Sequence, residues 1–306
     1  MSMVIIGAGM AGLLAGQMLR RHSPVILEAK TSLPDNHKAL LRFRSTAVSD
    51  ACGIPFRHVR AVKAMYWAGE WFNESNVAAN NLYAAKVVGR VIPRSIGSLG
   101  TFDRWIAPDD FPKLLAQGLN IQFNTAAEII ADHKEHEPWV STVPLPLVAN
   151  GMLKLKKVPP MNWSPIYVAR AELPESVDVY QTLYFPGLEP YYRASISGHT
   201  MIVEAMQPLQ TSLNVGMLFR QFGLPEALQP EAGWEFSEQK FGKILPTDEK
   251  WRKEFIMELT RRNNIYSLGR FATWRNILLD DLVQDVRIID QLISGDRHVY
   301  EHVARG

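Results

Sequence analysis

The chain has 306 residues, 47% of them hydrophobic, and a formal net charge of +2 at pH 7. The nearly balanced charge argues against a protein that coats nucleic acid, and no apolar run approaches the roughly 20 residues that a membrane span needs. The single cysteine, Cys52, excludes a disulfide within the chain and fits a reducing compartment, so we expect a cytoplasmic location.

The first thirty residues follow the order strand, glycine turn, helix, strand, acid. An apolar run over 3–6 leads into glycines at 7–12, a helical pattern follows over 13–20, and a second apolar run over 25–27 ends on Glu28. A helix that begins directly after a glycine turn offers amide donors and a positive dipole end to a phosphate group. This order therefore predicts a dinucleotide-binding unit.

Each residue type in this motif has its own predicted role. Gly7 makes the tight turn after the strand, Gly9 lets a pyrophosphate approach the backbone, and Gly12 lets the helix pack closely on the sheet. Glu28, sixteen residues after Gly12, is spaced to accept both hydroxyls of an adenosine ribose. The cofactor-binding residues expected from this segment are Gly7, Gly9, Met10, Ala11, Gly12, Glu28 and Ala29.

Between this motif and residue 150 the predicted elements are short. Prolines and glycines break the stretch 31–60, which we predict to be irregular. The elements that follow are a strand over 61–73 turning at Gly69, a helix over 80–88, a loop over 91–100, a helix from Asp109 or Asp110 to Gln117, a strand over 121–123 and a buried strand over 137–146.

Residues 158–206 are rich in β-branched and aromatic side chains and are divided by turn signals, which predicts an antiparallel sheet. Beyond them we predict helices over 246–262 and 282–292, with a strand over 264–268 between them. The dinucleotide-binding α/β fold is therefore discontinuous, and the sheet is inserted into it. The predicted boundaries are 1–60, 105–150 and 240–306 for the dinucleotide-binding domain, and 61–104 and 151–239 for the substrate or cap domain.

A second motif lies at 266–281, where Gly269-Arg270 follows a strand and an aspartate lies at a helix start about nine residues later. It resembles the closing FAD motif of the amine oxidase, protoporphyrinogen oxidase and UDP-galactopyranose mutase superfamily. The resemblance implies that Gly269 and Arg270 lie by the pyrophosphate and ribityl chain. The helix N-terminus would stabilise the negative charge of a reduced flavin pyrimidine. The amides implied there are those of Leu279, Asp280 and Asp281.

Two further segments resemble the same superfamily. Ser-Thr-Val-Pro at 141–144 resembles the strand end that returns to the FAD, which adds Thr142 to the expected cofactor-binding residues. The segment from 106–109 to 123–126 resembles the element that meets the adenine. Together these matches imply FAD as the cofactor and an α/β fold: a Rossmann-type FAD-binding domain with an inserted antiparallel β-sheet substrate domain.

The chain also departs from the superfamily pattern. A Gly-Gly-Arg usually follows the glutamate, and here it is missing; Arg42, Arg44 or neither replaces its arginine, and Arg42 is our candidate. The mutase subgroup carries tyrosines in the Gly-Arg segment, where this chain has Trp274 and Asn276. Galactopyranose isomerisation is therefore a weaker expectation than general FAD chemistry.

The expected reaction follows from what accompanies the FAD motifs. No second glycine fingerprint indicates a separate NAD(P)H domain, so the flavin would be reduced by its own substrate and reoxidised by oxygen or another acceptor. We therefore predict an FAD-dependent oxidoreductase of the oxidase or dehydrogenase class. It would remove a hydride from a C–N or C–H bond of a small amine or amino-acid-like substrate. We assign no catalytic residue, and no metal to His133 and His136 in their charged segment.

The candidate substrate-binding residues lie mainly in the inserted sheet. Aromatic rings there could sandwich a planar or aliphatic amine, and Arg193 could hold a carboxylate or phosphate. Tyrosines are also common in strands simply because they pack well, and this alternative stays open. The residues that we select are Tyr184, Tyr192, Arg193 and, from the Gly-Arg motif, Trp274.

Three other functions stay open at this point. A non-redox mutase or lyase would use reduced FAD on a nucleotide-linked substrate, for which local basic clusters such as 154–157 are the only hint. A flavin-binding protein without catalysis would use FAD structurally. A simple NAD dehydrogenase would use Glu28 but not the Gly269–Asp281 element. A small molecule is the expected partner and no membrane is expected; nucleic acid is disfavoured, while a nucleotide-linked substrate stays open, and the oligomeric state is not predicted.

Overall fold

The computed structural model describes residues 3–33, 41–93, 96, 99–125 and 137–295. The chain divides into two compact units, the first made of 1–57, 105–162 and 246–306 and the second of 58–104 and 163–245. Residues 151–162 thus belong to the first unit and residues 58–60 and 240–245 to the second, whereas the boundaries expected from the sequence assign each of these segments to the other domain. Over the described ranges, no helix combines the length and apolarity needed to cross a bilayer.

The secondary-structure elements are numbered in chain order. The strands are β1 (Met3–Ile6), β2 (Pro24–Leu27), β3 (Arg42–Phe43), β4 (Arg57–Trp67), β5 (Glu70–Phe72), β6 (Gly100–Ile106), β7 (Asn120–Gln122), β8 (Trp139–Ser141), β9 (Trp163–Glu172), β10 (Val179–Tyr184), β11 (Tyr191–Gly198), β12 (Thr200–Ala205), β13 (Glu235–Ile244) and β14 (Ile265–Ser267). The α-helices are α1 (Met10–Met18), α2 (Ala47–Cys52), α3 (Val77–Val88), α4 (Phe111–Ala116), α5 (Val215–Phe222), α6 (Glu249–Asn263) and α7 (Leu279–Ile293).

The first unit is built around a parallel sheet in the order β14-β8-β1-β2-β7. Ile5 of β1 lies opposite Val140 of β8 and Ile26 of β2, and all three side chains are fully buried. Parallel strands are covered on both faces, which explains why β1 and β2 are nearly continuous apolar runs. The carboxyl ends of β1, β8 and β14 meet beside the point where the strand order reverses, the usual ligand-binding edge of such sheets.

Helix α1 packs closely on this sheet because it has a glycine where it meets β2. A Cβ atom at Gly16 would lie 2.8 Å from Cδ1 of Ile26 and 3.0 Å from Cδ1 of Leu119. Leu13 of the same helix is buried in the core of this unit, together with Val286 of α7. The glycine therefore sets the helix-to-sheet distance, and the apolar side of α1 closes one face of the core.

The second unit is built on a mixed sheet in which β13-β9-β12-β11-β10-β4-β6 are neighbours. The pairs from β13 to β10 are antiparallel, as predicted for residues 158–206. Strands β10 and β4 are parallel, with Leu183 opposite Ala64, and the sequence analysis does not predict this pair. The predicted turn at Gly69 is confirmed, because β4 and β5 are antiparallel on either side of it.

The two faces of this sheet differ in chemistry, as the alternation of side chains along strands requires. One face carries the core of the unit, where Ala194 and Val203 pack with Leu218 and Phe219 of α5. The residues that point to the opposite face include Tyr184 and other polar side chains described below.

Five elements of the described ranges lie where none was predicted from the sequence. They are α2, α5, β3, β6 and β13. Helix α2 falls inside the stretch 31–60 that was predicted to be irregular, and it has only six residues before Gly53 ends it in a left-handed conformation. A helix of this length shows less than two turns of periodicity, so its pattern is too short to detect.

Candidate functional site

The glycine turn after β1 has the shape that a phosphate cradle needs. Gly7 has a φ of +96°, and a Cβ atom there would collide with the hydroxyl of Thr142. A Cβ at Gly12 would overlap the carbonyl oxygen of Gly7. Gly9 differs from both, because it is exposed and no atom of the described residues lies within 4 Å of the position of its absent Cβ. The first two glycines are thus required by the fold, while Gly9 borders open space.

The N-terminus of α1 faces this open space without a cap of its own. Gly9 is the N-cap residue, its backbone is extended, and its carbonyl accepts the first helical bond from Leu13 at 2.9 Å. Among the described residues, no side chain caps the helix and no acid lies in its first turn. The amides of Met10 and Ala11 are therefore placed to donate to an anion, with the positive end of the helix dipole behind them.

Glu28 lies at the end of β2 beside the same turn. Its Oε2 accepts from the amide of Ala8 at 2.7 Å, and its Oε1 accepts from the amide of Lys30 at 3.0 Å. Two backbone donors thus fix the carboxylate, and each oxygen keeps a further lone pair for a ligand hydroxyl. Ala29 is exposed next to it. This geometry can receive a ribose diol.

The closing motif lies against the glycine turn, although about 260 residues separate the two in sequence. Gly269 follows β14 with a φ of +95°, and a Cβ on it would lie 3.1 Å from the Cβ of Ala11. Thr142, after β8, donates to the carbonyl of Ile6 from its amide at 3.0 Å and from its hydroxyl at 2.7 Å. The structure thus brings the residues predicted after β1, β8 and β14 together at one edge of the sheet.

The turn after Gly269 is fixed by hydrogen bonds that the sequence analysis did not anticipate. Thr273 donates to the carbonyl of Gly269 from its amide at 3.0 Å and its hydroxyl at 2.7 Å. Arg252 of α6 is buried and donates to the carbonyl of Thr273 at 2.7 Å. The guanidinium of Arg270 lies 5.5 Å from the ring centroid of Phe271. Arg252 therefore stabilises the Gly-Arg turn from helix α6.

Trp274, a candidate substrate residue, lies within this turn in the first unit. Its φ is +49°, and only 5% of the residue is exposed. A tryptophan held in the left-handed region and buried contributes to the packing of the turn. This burial restricts the contact with a substrate that the sequence predicts for Trp274.

The N-terminus of α7 is surrounded by charges of both signs. Arg44 donates from its backbone amide to Asp280 at 3.0 Å and from its guanidinium to Asp281 at 2.5 Å. Asp281 also accepts the amide of Leu278 at 2.8 Å. Burial opposes ionisation of Asp281, but the Leu278 amide and Arg44 outweigh it and lower the pKa of this carboxyl. Leu279 begins the helix.

The arginine that meets this helix is thus Arg44. Arg42, our candidate, lies half-buried in β3 opposite Ile106 of β6. A pair of aspartates at a helix start is the signal in the sequence that could have selected Arg44, but nothing local in the chain indicates which arginine reaches them.

The substrate candidates of the second unit form a connected polar group. Arg193 donates from Nε and Nη2 to the carboxylate of Glu204, and the Nη2–Oε1 distance is 2.6 Å. The buried Tyr192 hydroxyl donates to Oε1 of Glu204 at 3.2 Å. Burial opposes ionisation of Glu204, yet Arg193 holds the pKa of this carboxyl below its usual value. Burial and the Glu204 charge raise the pKa of Tyr192, which stays neutral. Tyr184 is half-buried.

No cluster of three metal-ligating side chains occurs in the described ranges. His133 and His136 lie outside these ranges, as does Ala126 at the end of the segment predicted to meet the adenine. The described part of that segment ends in β7, whose Gln122 accepts the amide of Glu28 through its carbonyl at 2.8 Å. This bond joins β7 to the strand end that carries Glu28.

The sequence matches no protein-family model and none of the curated proteins. The fold is similar to that of reduced UDP-galactopyranose mutase, with a TM-score of 0.62 and 17% identity over 96% of this chain and 95% of that one. It is also similar to pqsL, a probable FAD-dependent monooxygenase from Pseudomonas aeruginosa, with a TM-score of 0.56 and 14% identity over 99% and 89% of the two chains.

A third similar structure is the p-nitrophenol 4-monooxygenase PnpA from Pseudomonas putida DLL-E4, with a TM-score of 0.55 and 12% identity over 99% of this chain and 84% of that one. Identities this low establish the fold and leave the reaction open. The chain has the α/β fold of Rossmann-type FAD-binding flavoproteins, with a second sheet inserted into it, and the fold class predicted from the sequence is confirmed.

Proposed function

We propose that the first unit binds FAD and that the protein is an FAD-dependent oxidoreductase. The observation that carries the proposal is the arrangement around Gly9, where open space is bordered by the uncapped N-terminus of α1, by Glu28 and by the Gly269 turn. A bound flavin would accept a hydride from a C–N or C–H bond of a small amine or amino-acid-like substrate.

The residues of the first unit have distinct proposed roles toward the cofactor. Glu28 would accept the hydroxyls of the adenosine ribose with the lone pairs that its two backbone bonds leave open. The amides of Met10 and Ala11 would donate to the pyrophosphate. Gly269 and Arg270 would lie by the ribityl chain. The expected set also includes Thr142, Ala29, Arg42 and the α7 residues Leu279, Asp280 and Asp281.

The charges at the N-terminus of α7 bear on the redox state that this site favours. Asp280 and Asp281 place two carboxylates in the first turn, where they reduce the positive potential of the helix end. Arg44 offsets this effect through its bonds to both carboxylates. In this proposal Arg44 neutralises one of the two carboxylates and so preserves part of the positive potential that the helix end offers an anionic reduced flavin.

Substrate recognition is proposed for Tyr184, Tyr192 and Arg193 of the second unit and for Trp274 of the first. Support comes from the chemistry of the polar face, which combines aromatic rings with a fixed guanidinium. The similar structures reported above are a mutase and monooxygenases, so the amine or amino-acid-like substrate rests on this chemistry and on the resemblance in the sequence.

A non-redox flavoenzyme is the second candidate function. Among the similar structures described above, the one with a TM-score of 0.62 is a mutase in its reduced form. A mutase or lyase of this kind would keep its flavin reduced and act on a nucleotide-linked substrate. A flavin-binding protein without catalysis is the remaining alternative.

The test begins with the visible absorption spectrum of the purified protein and of the supernatant after heat denaturation. We expect a yellow protein that releases FAD; a colourless protein that FAD cannot reconstitute would overturn the cofactor proposal. Anaerobic mixing with a panel of amines and amino acids should then bleach the flavin. Turnover of a nucleotide sugar only after dithionite reduction would instead favour the mutase alternative.

A further inference from the structure

Three side chains line up across neighbouring strands on the polar face of the second unit. Tyr184 of β10 is the register partner of Arg193 in β11, and Arg193 is the register partner of Glu204 in β12. Directly opposed residues in an antiparallel pair place their Cβ atoms about 5 Å apart on the same face. The row therefore sets an aromatic ring on one side of the guanidinium and a carboxylate on the other.

A β-bulge directs a second side chain at the same carboxylate. The register shifts between Tyr191 and Arg193, so two residues of β11 oppose one residue of β12. Tyr192 consequently donates its hydroxyl to Glu204 at 3.2 Å, in addition to the two bonds from Arg193. The Glu204 side chain is only 12% exposed. Its three donors fix the carboxylate, which in turn fixes the orientation of Arg193.

Glu204 binds one edge of the Arg193 guanidinium and leaves the other edge available to a ligand. Glu204 occupies the Nε and Nη2 edge of the guanidinium. Arginine has five N–H donors, so the Nη1 and Nη2 edge still presents a parallel fork that matches a second carboxylate. Within the described residues Nη1 donates no hydrogen bond, and it is not buried. The side chain is 35% exposed.

The local charge selects the kind of anion. Lys243 places its ammonium group 4.8 Å from the ring centroid of Tyr192 and adds to the positive potential at Glu204. Arg193, Lys243 and Glu204 together carry one net positive charge. A monocarboxylate balances this charge, whereas a phosphate dianion would leave an excess negative charge on a partly buried surface.

We propose that this face binds a monocarboxylate ligand with an apolar body. The carboxylate accepts from the Nη1 and Nη2 edge of Arg193, and the body lies on the ring of Tyr184, which Tyr83 supports edge-on at 5.8 Å. If this ligand is the substrate, the inference rests on the proposed function and narrows the proposed substrate to a carboxylate. Glu204 is a positioning residue in this site.

Calorimetric titration of the purified protein with benzoate, benzamide and inorganic phosphate tests the proposal, with the flavin content of each sample measured by absorbance. We expect benzoate to bind and benzamide and phosphate to bind about tenfold more weakly or not at all. Arg193→Lys keeps the charge beside Glu204 but removes the fork, and we expect it to weaken benzoate binding about tenfold.

Arg170→Lys is the matched control, because Arg170 makes a comparable pair with Glu172 at 2.9 Å in the same sheet without a tyrosine opposite it. It should leave benzoate binding unchanged. Equal benzoate affinity in Arg193→Lys and the wild type, tighter binding of phosphate, or no benzoate binding by the wild type would each overturn the proposal. Benzoate binding by a protein that FAD cannot reconstitute would instead reject the proposed cofactor and leave the carboxylate site standing.

Discussion

Gly269 lies against Ala11, so close that a Cβ atom on Gly269 would come within 3.1 Å of the Cβ of Ala11. This contact joins the last turn of the cofactor edge to the first turn of α1. Neither residue could make the contact if the other carried a larger side chain, because protein interiors are packed without spare volume. The two motifs found at opposite ends of the sequence are therefore parts of one structure.

Substitution of Gly269 by alanine should lower both stability and flavin content. Its φ of +95° is unfavourable for alanine, and the added methyl group would crowd Ala11; together we expect a loss of about 1–3 kcal/mol in the free energy of unfolding. Gly295→Ala is the control, since Gly295 has a φ of +85° but no atom of the described residues within 4 Å of its Cβ position. Urea denaturation should show a larger loss for Gly269→Ala, partly restored by adding Ala11→Gly.

Gly9→Val should reduce FAD binding while leaving the fold intact. In the described part of the chain no atom lies within 4 Å of the Cβ position of Gly9, so the protein can accept the side chain, but the proposed pyrophosphate would occupy that space. We expect at least a roughly tenfold loss of FAD affinity, or about 1.4 kcal/mol. The matched control is Gly151→Val, because Gly151 has the same open surroundings outside the cradle. Equal FAD affinity in the two variants, measured by fluorescence titration, would contradict the cradle.

The parts of the site that sequence analysis finds are those encoded by local spacing. The glycine turn and Glu28 lie within one βαβ segment, and each is placed by residues fewer than about thirty positions away. The cap of α6 is local too: Thr247 or Asp248 fits the pattern, and Asp248 accepts the amide of Trp251 at 3.0 Å. In these cases residues that are close in sequence are sufficient to predict the feature.

The features that sequence analysis misses depend on distant contacts or on weak patterns. Arg44 meets Asp280 across 236 positions, and Arg252 reaches Thr273 from another element. Strand β13 has little apolar alternation because its first half is exposed and polar. Charged edge strands avoid aggregation in this way and lose the signal that would identify them. These partners are neighbours only in the folded chain, so local sequence patterns do not identify them.

Lys86 should titrate well below an ordinary lysine. Its Nζ donates to the carbonyls of Phe185 at 2.7 Å and Gly187 at 2.8 Å, and burial lowers the pKa of the amine to about 8, although the Glu189 carboxylate acts in the opposite direction. An unfolded lysine has a pKa of about 10.4. Between these two values the unfolded chain binds more protons, so stability should rise with pH relative to a Lys86→Met variant.

The measurement is the free energy of unfolding in urea for the wild type and Lys86→Met at several pH values between about 7 and 10.5. The titration of the other lysines contributes equally to the stability of both proteins and cancels in the difference. We expect the wild type to gain about 1 kcal/mol on the variant over this range, an amount reduced by the partial exposure of the amine. A difference that stays flat, or that shrinks as the pH rises, would show that the pKa of Lys86 is not lowered.

Removal of Glu204 should destabilise the second unit far more than removal of Glu172 from the same sheet. The Arg193–Glu204 pair has side-chain exposures of 35% and 12%, whereas the Arg170–Glu172 pair has 30% and 47%. Glu204→Ala leaves the Arg193 charge and the Tyr192 hydroxyl without their acceptor, which we expect to cost about 2–4 kcal/mol. Glu172→Ala exposes its partner to water and should cost about 0–1 kcal/mol.

A double variant separates the cost of a broken pair from the net contribution of the pair itself. Arg193→Met with Glu204→Leu replaces both charges by apolar groups and should recover most of the stability lost in Glu204→Ala, because no unpaired charge remains. Urea denaturation of the wild type, Arg193→Met, Glu204→Leu and the double variant closes the cycle. If Glu204→Ala and Glu172→Ala prove equally mild, the Glu204 carboxylate is well solvated, and it then cannot hold Arg193 in the fixed orientation that the carboxylate site requires.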